Sequence, residues 1–92
     1  MIYCFDIDGT IFRTDVGYNV RSANESLIRK LNELYESGNT IIIQTGRHWN
    51  HLLMTIRQLS DHGIKYHSLV MGKPVADIYI DDKAVRPDEF EC

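Results

Sequence analysis

The stretch Ile2-Tyr3-Cys4-Phe5-Asp6-Ile7-Asp8-Gly9-Thr10 decides how the rest of the chain is read. A short apolar run stops abruptly at an acidic, glycine-containing segment, the pattern of a buried strand entering a loop. Asp6 and Asp8 are two residues apart. In extended backbone both carboxylates face one cavity while Ile7 packs into the core behind them.

Outward from that strand, Thr10 to Arg21 loses periodicity and carries Gly17 and Asn19, which predicts a flap or small hairpin. Ser22 and Glu25 have capping-box spacing and predict a helix start. Leu27, Ile28, Leu31, Leu34 and Tyr35 continue that helix, and Gly38 supplies its left-handed stop. Thr40–Gln44, with three consecutive isoleucines, reads as a strand buried on both faces. Trp49, Leu52, Leu53, Ile56 and Leu59 mark a second amphipathic helix ending before Gly63, with Trp49 and Tyr35 expected in the core. Ser68–Met71 and Ile78–Ile80 are two further apolar runs. The order βαβαββ predicts an α/β fold of the doubly wound kind, a parallel sheet of about four strands flanked by helices. Residues 1–92 form a single domain in this reading, with no linker, repeat or low-complexity stretch.

Composition narrows the function classes. In 92 residues, 43% hydrophobic and 25% charged, the balance is that of a globular domain. A formal net charge of −3 without a basic block argues against nucleic acid as a partner. Cys4 and Cys92 form no CxxC pair, so Cys4 reads as a strand residue and Cys92 as a tail thiol. No leader-like or membrane-length apolar segment is present, which makes the cytoplasm the expected compartment and a membrane partner unexpected.

Ligands of doubly wound sheets collect beyond the carboxyl ends of the strands. Asp6 and Asp8 follow strand one, Thr45 follows strand two, Lys73 follows the third apolar run, and Asp81 and Asp82 follow the fourth. Each has an ordinary reading singly: Asp-Gly is a turn pair, Thr45-Gly46 starts a helix, Lys73 is a solvated lysine. Their convergence at one edge is what asks for a chemical explanation. Clustered carboxylates repel unless a cation joins them, and an all-oxygen donor set without a Cys/His cluster points to Mg²⁺. An Asp6 carboxylate could then attack a phosphate, with Asp8 moving the protons. The Thr45 hydroxyl, the N–H groups at Gly9 and Gly46 and the Lys73 ammonium could hold the phosphate oxygens. Arg47, at the start of the second helix, could add a bidentate phosphate contact.

In order and together these residues resemble the haloacid dehalogenase superfamily of phosphatases. The family's first motif stands as Asp6-Ile7-Asp8-Gly9-Thr10, and Ile41-Ile42-Ile43-Gln44-Thr45-Gly46-Arg47 is similar to the motif that follows it. The family's lysine matches Lys73 in Gly72-Lys73-Pro74, and its acidic pair matches Asp81-Asp82 after Ile78-Tyr79-Ile80. The resemblance implies Asp6 as nucleophile and Asp8 as general acid/base. It also implies Mg²⁺ held by the Asp6 side chain, the Asp8 carbonyl and the acidic pair, with Asp82 the direct ligand and Asp81 direct or through water. The stretch Gly72 to Ala84 further resembles a branch described as capsule or lipopolysaccharide biosynthesis phosphatases. Two departures stand out. Seven residues separate Lys73 from Asp81, too few for the usual helix, and the segments between motifs leave no room for a cap domain.

The expected activity is therefore hydrolysis of a small phosphomonoester, such as a phosphorylated sugar. A polynucleotide-end phosphatase, a phospho-receiver and an inactive binding module are the rivals. His48 and His51 beside Thr45-Gly46-Arg47 read more readily as solvated residues than as substrate contacts, whereas Arg13, Asp15 and Tyr18 in the flap could screen the site or touch substrate. So short a chain, with open sheet edges and no cap, is also expected to self-associate.

Overall fold

The computed structural model describes residues 1–91, so the Cys92 thiol lies outside the described residues. Strand β1 (Ile2–Asp6) pairs in parallel with β4 (Thr40–Gln44), and β4 pairs in parallel with β5 (Ser68–Val70). The sheet order is β1-β4-β5, which puts the isoleucine-rich strand in the centre. Ile41 and Ile43 are fully buried there, joined in the core by Phe5, Ile7, Leu27, Leu31 and Leu59.

Between β1 and β4 run a hairpin and a helix. The hairpin, β2 (Phe12–Thr14) and β3 (Val20–Ala23), is antiparallel, with a register irregularity between Arg13 and Thr14. Helix α1 (Glu25–Glu36) lies against β4 and buries Leu27, Ile28 and Leu31. The cap of α1 differs from the expected one. Ser22 sits in the hairpin ladder opposite Arg13, so its backbone is already committed. Asn24 caps instead, its side chain accepting from the Leu27 N–H at 3.2 Å.

A short 3₁₀ turn, Trp49–His51, precedes α2 (Leu52–Asp61). That turn breaks the periodicity that predicts a core role for Trp49, and the residue is 57% exposed. The buried positions of α2 are Thr55 and Leu59, while Leu53 and Ile56 face outward. Tyr35 does pack on the core and stacks on His67, ring centroids 4.6 Å apart.

The predicted fourth strand, Ile78–Ile80, does not form, and the parallel sheet has three strands among the described residues. Two facts explain this. A parallel strand needs a crossover of a dozen or more residues to return, and the interval after β5 is shorter. In addition, the Tyr79 hydroxyl donates to the Pro74 carbonyl at 2.6 Å and accepts from the Ala76 N–H at 3.1 Å, closing the segment into a loop. Ile78 and Ile80 stay exposed. Past that loop, a short helix not expected from the sequence, α3 (Pro87–Glu91), returns to the sheet. Phe90 meets Tyr3 and Phe5 edge-on, each at a centroid distance of 5.8 Å. The local signals for this helix are Pro87 at the first position and Asp88 and Glu89 in the first turn.

One face of the sheet carries these helices and the core. On the other, Ile2, Cys4 and Val70 alternate with the core positions and remain exposed, unusual in a parallel sheet. Among the described residues no helix is long and apolar enough to cross a membrane.

Candidate active site

Asp6 ends β1, opposite Gln44 in the ladder, and Ile7 turns inward with no exposed surface. The chain then tightens: the Thr10, Ile11 and Phe12 N–H groups all converge on the Ile7 carbonyl at 2.9 to 3.1 Å. Gly9 has a φ of +82°, a conformation glycine adopts at little cost. Its N–H donates to the Phe12 carbonyl at 2.8 Å, so in this geometry it is not free for the phosphate contact expected of it.

Thr45 ends β4 fully buried. Its backbone joins the neighbouring segment: the Thr45 N–H donates to the Val70 carbonyl at 2.9 Å and the Lys73 N–H to the Thr45 carbonyl at 2.8 Å. A Cβ on Gly46 would meet Val75 Cγ2 at 2.9 Å, so a side chain there would push the two segments apart. Through this packing Lys73 reaches Asp6, Nζ to Oδ1 at 3.9 Å, with its ammonium 4.4 Å from the Tyr79 ring centroid. The Asp6 carboxyl is raised above its ordinary value by desolvation, against the lowering pull of Lys73 and of a backbone hydrogen bond at Ile7, with Asp8 adding to the rise.

Arg47 does not point at an open phosphate site. Its side chain has no exposed surface, and it forks onto Asp8, Nε to Oδ2 at 3.0 Å and Nη2 to Oδ1 at 2.9 Å. Nη1 donates to Thr55 Oγ1 at 3.0 Å and Gln58 Oε1 at 2.6 Å. The Tyr18 ring covers the guanidinium, 4.7 Å from centroid to Cζ. Thr14 completes the set by donating to Asp8 Oδ1 at 2.9 Å. The phosphate contact expected of Arg47 is thus replaced by orientation of Asp8, because a buried guanidinium takes the nearest carboxylate.

Thr14, Thr55 and Gln58 are site residues that the sequence did not point to, and it placed Tyr18 no nearer than the flap. Thr55 carried a signal: it is a polar residue on the same helical face as Leu59, four positions on. Tyr18 has a φ of +63°, uncommon for an aromatic residue. It is held there by Gln58, whose Nε2 donates to the Tyr18 carbonyl at 2.6 Å, and by the His51 ring at 5.2 Å. His48 caps the 3₁₀ turn, its Nδ1 accepting from the Asn50 N–H at 3.2 Å.

The structure brings Asp6, Asp8, Thr45, Gly46, Arg47 and Lys73 to one end of the sheet. Asp81 and Asp82 are not gathered with them. Both are exposed, and Asp81 Oδ1 accepts from the Lys83 N–H at 2.8 Å in a local turn. Among the described residues no three His, Cys, Asp or Glu side chains are grouped closely enough to hold a metal ion.

Residues 3–85 match the family model of haloacid dehalogenase-like hydrolases. A crystal structure of a structural-genomics target from Vibrio cholerae is similar at 30% sequence identity, with a TM-score of 0.85 over 98% of this chain and 86% of that one. No curated protein is significantly similar.

Two predictions come from this geometry. Arg47→Ala should lower unfolding free energy in urea by about 3 kcal/mol, because it strands Asp8, Thr55 and Gln58 together. Arg47→Lys should recover less than half of that, since one ammonium cannot fork onto a carboxylate. A loss below about 1 kcal/mol for Arg47→Ala would mean the cluster does not hold the site.

The second concerns Asp6 without metal. Because its folded pKa lies above the unfolded one, the folded state binds the proton more tightly, and stability falls as pH rises from the ordinary carboxylate range through the raised value. In chelator, Asp6→Asn should therefore gain stability relative to wild type over that rise and keep the gain at neutral pH. A wild type that gains on the variant as pH rises would show Asp6 to be stabilised as an anion.

Proposed function

Because the chain belongs to the haloacid dehalogenase-like hydrolases, we propose that it is a Mg²⁺-dependent phosphomonoester hydrolase working through an aspartyl-phosphate on Asp6. The observation that carries this reading is the division of labour between two carboxylates two residues apart. Asp6 is partly desolvated, and its counter-charge is a distant ammonium at 3.9 Å beside one backbone hydrogen bond at Ile7, whereas Asp8 is gripped through both oxygens by Arg47 and Thr14. A poorly compensated carboxylate is the better nucleophile, and a firmly oriented one is the better proton carrier.

In the first step an Asp6 oxygen bonds to phosphorus as the bond from phosphorus to the leaving oxygen breaks, and Asp8 gives that oxygen its proton. In the second, Asp8 takes a proton from the water that attacks the acyl phosphate, and phosphate leaves with Asp6 restored. Arg47 and Thr14 occupy three of the roughly four acceptor positions of the Asp8 carboxylate, which leaves Oδ2 a place for the travelling proton. Lys73 and the Gly46 N–H, which has no partner among the described residues, supply donors for the phosphoryl oxygens, and the buried Thr45 hydroxyl, which accepts from the Arg47 N–H at 3.1 Å, holds the turn that presents them.

The donor chemistry fits a hard divalent ion: every candidate ligand is oxygen. Asp6, the Asp8 carbonyl and the pair Asp81 and Asp82 would hold it, the pair joining from its exposed segment. When bound, it would supply the positive charge that lets a carboxylate approach a phosphate dianion. The substrate class is a small phosphorylated metabolite, reached without a cap domain, and the cytoplasm is its setting. The same reading includes self-association, for which the uncovered sheet face with Ile2, Cys4 and Val70 supplies apolar surface.

With Mg²⁺ and an aryl phosphate, wild type should turn over repeatedly and Asp6→Asn should lose roughly 10³-fold or more in kcat. Activity of that variant within about tenfold of wild type would remove Asp6 as nucleophile. A long-lived phospho-adduct without turnover would mean a receiver. Sedimentation at micromolar concentration should show a species larger than 10.7 kDa, and a monomer of full activity would contradict the self-association.

A further inference from the structure

An open cleft of about 500 Å³ runs from the Asp8 loop to the hairpin, its walls including Asp8, Thr10, Arg13, Thr14, Ser22 and Asn24. Asp8 lines it and Asp6 does not. In an in-line displacement the leaving oxygen departs on the side opposite the nucleophile and within reach of the general acid. The cleft therefore lies on the leaving-group side, and its lining bears on what alcohol is released.

The charges around it are unbalanced. Asp8 is matched by Arg47, and at the hairpin tip Arg21 pairs with Asp15 at 3.0 Å. Arg13 has no ion-pair partner among the described residues, although it lines the cleft directly opposite Ser22 in the ladder. Asn24 is occupied as the α1 cap, and Thr14 is spent on Asp8. Thr10 and Ser22 keep hydroxyls for ligand. A cleft in the usual size range for small ligands, with one unpaired guanidinium and two hydroxyls, matches a polyhydroxy group that ends in a carboxylate.

Resting on the hydrolase reading above, we infer that the cleft between the Asp8 loop and the hairpin binds the leaving alcohol of a phosphorylated hydroxy acid or sugar acid, with Arg13 as its specificity-determining residue. The guanidinium forks onto the carboxylate while Thr10 and Ser22 meet the hydroxyls. A neutral phosphosugar fits the same space but leaves Arg13 without its partner.

The test uses matched pairs of esters that differ in one carboxylate: 3-phosphoglycerate against glycerol 3-phosphate, and 6-phosphogluconate against glucose 6-phosphate. For wild type the ratio of kcat/KM, acid over neutral, should be about tenfold or more, as one charge-assisted hydrogen-bond pair provides. Arg13→Gln should bring the ratio to about 1, and Arg13→Lys should sit between, which separates charge recognition from damage to the hairpin. If wild type hydrolyses these esters with a ratio near 1, or if Arg13→Gln leaves the ratio unchanged, the inference falls while the hydrolase reading stands. If none of the four esters is hydrolysed although the aryl phosphate is, the inference falls; if the aryl phosphate is not hydrolysed either, the hydrolase reading falls, and binding decides the cleft. Titration with 3-phosphoglycerate should then shift the Arg13 and Ser22 amide resonances at lower concentration than glycerol 3-phosphate does. Equal titrations, or none in the hairpin, would overturn the inference.

Discussion

A guanidinium with no exposed surface organises this molecule. Arg47 leaves the end of the central strand and finds four partners from three places: Asp8 in the loop after β1, Thr55 and Gln58 on α2, and the ring of Tyr18 at the hairpin tip. Taking such a charge out of water is costly, and the cost is offset only when its donors are met with good geometry. The loop, the helix and the hairpin are thereby required to agree on one arrangement. Apolar groups of the same volume often serve stability as well as a buried ion pair does. What the cluster supplies is orientation, because Asp8 is gripped through both oxygens and keeps one direction.

The opposite treatment of Asp6 follows from the sheet. A strand end at the carboxyl edge leaves its last side chain facing outward over the loops, and here the nearest cation reaches only to 3.9 Å. Lys73 gets even that close because the Thr45 carbonyl accepts its N–H and Gly46 has no Cβ to hold Val75 away. A carboxylate partly desolvated and short of a full counter-charge is poised for a positive ligand or an electrophile. Strand register, one missing side chain and the choice of cation partner thus combine to make two similarly exposed aspartates of the same loop chemically unlike.

The three-stranded sheet also explains where the molecule is unfinished. Parallel strands are normally covered on both sides, yet Ile2, Cys4 and Val70 face outward and the segment with Ile78 and Ile80 runs exposed beside Asp81 and Asp82. Apolar surface and acidic groups are thus both left open to further ligands. A second copy would satisfy the first need and a divalent cation the second, which is why the proposed function includes both.

Local pattern was sufficient for much of this. The apolar runs at Ile2–Phe5 and Thr40–Gln44 could be read directly, since consecutive buried residues have few other uses in so short a chain. The carboxylates at Asp6 and Asp8 and the hydroxyl at Thr45 follow from those strands, because strand ends place their next residues at one edge. Lys73 was legible as a candidate, although its approach to Asp6 depended on the contact between Gly46 and Val75. The small hairpin was legible too, in the lost periodicity around Gly17 and Asn19, whereas its extension through Ser22, the α1 cap and the fate of Ile78–Ile80 were decided by tertiary structure: Ser22 was taken by the ladder, and the interval after β5 could not carry a crossover. Arg47 shows the difference most sharply. Its place at a helix start suggested a phosphate ligand, and a chain position cannot reveal that a carboxylate 39 residues away lies within 3.0 Å. Periodicity reports which face a residue takes, whereas the partner of a buried charge is set by which segments fold against it, and that is known only once they have packed.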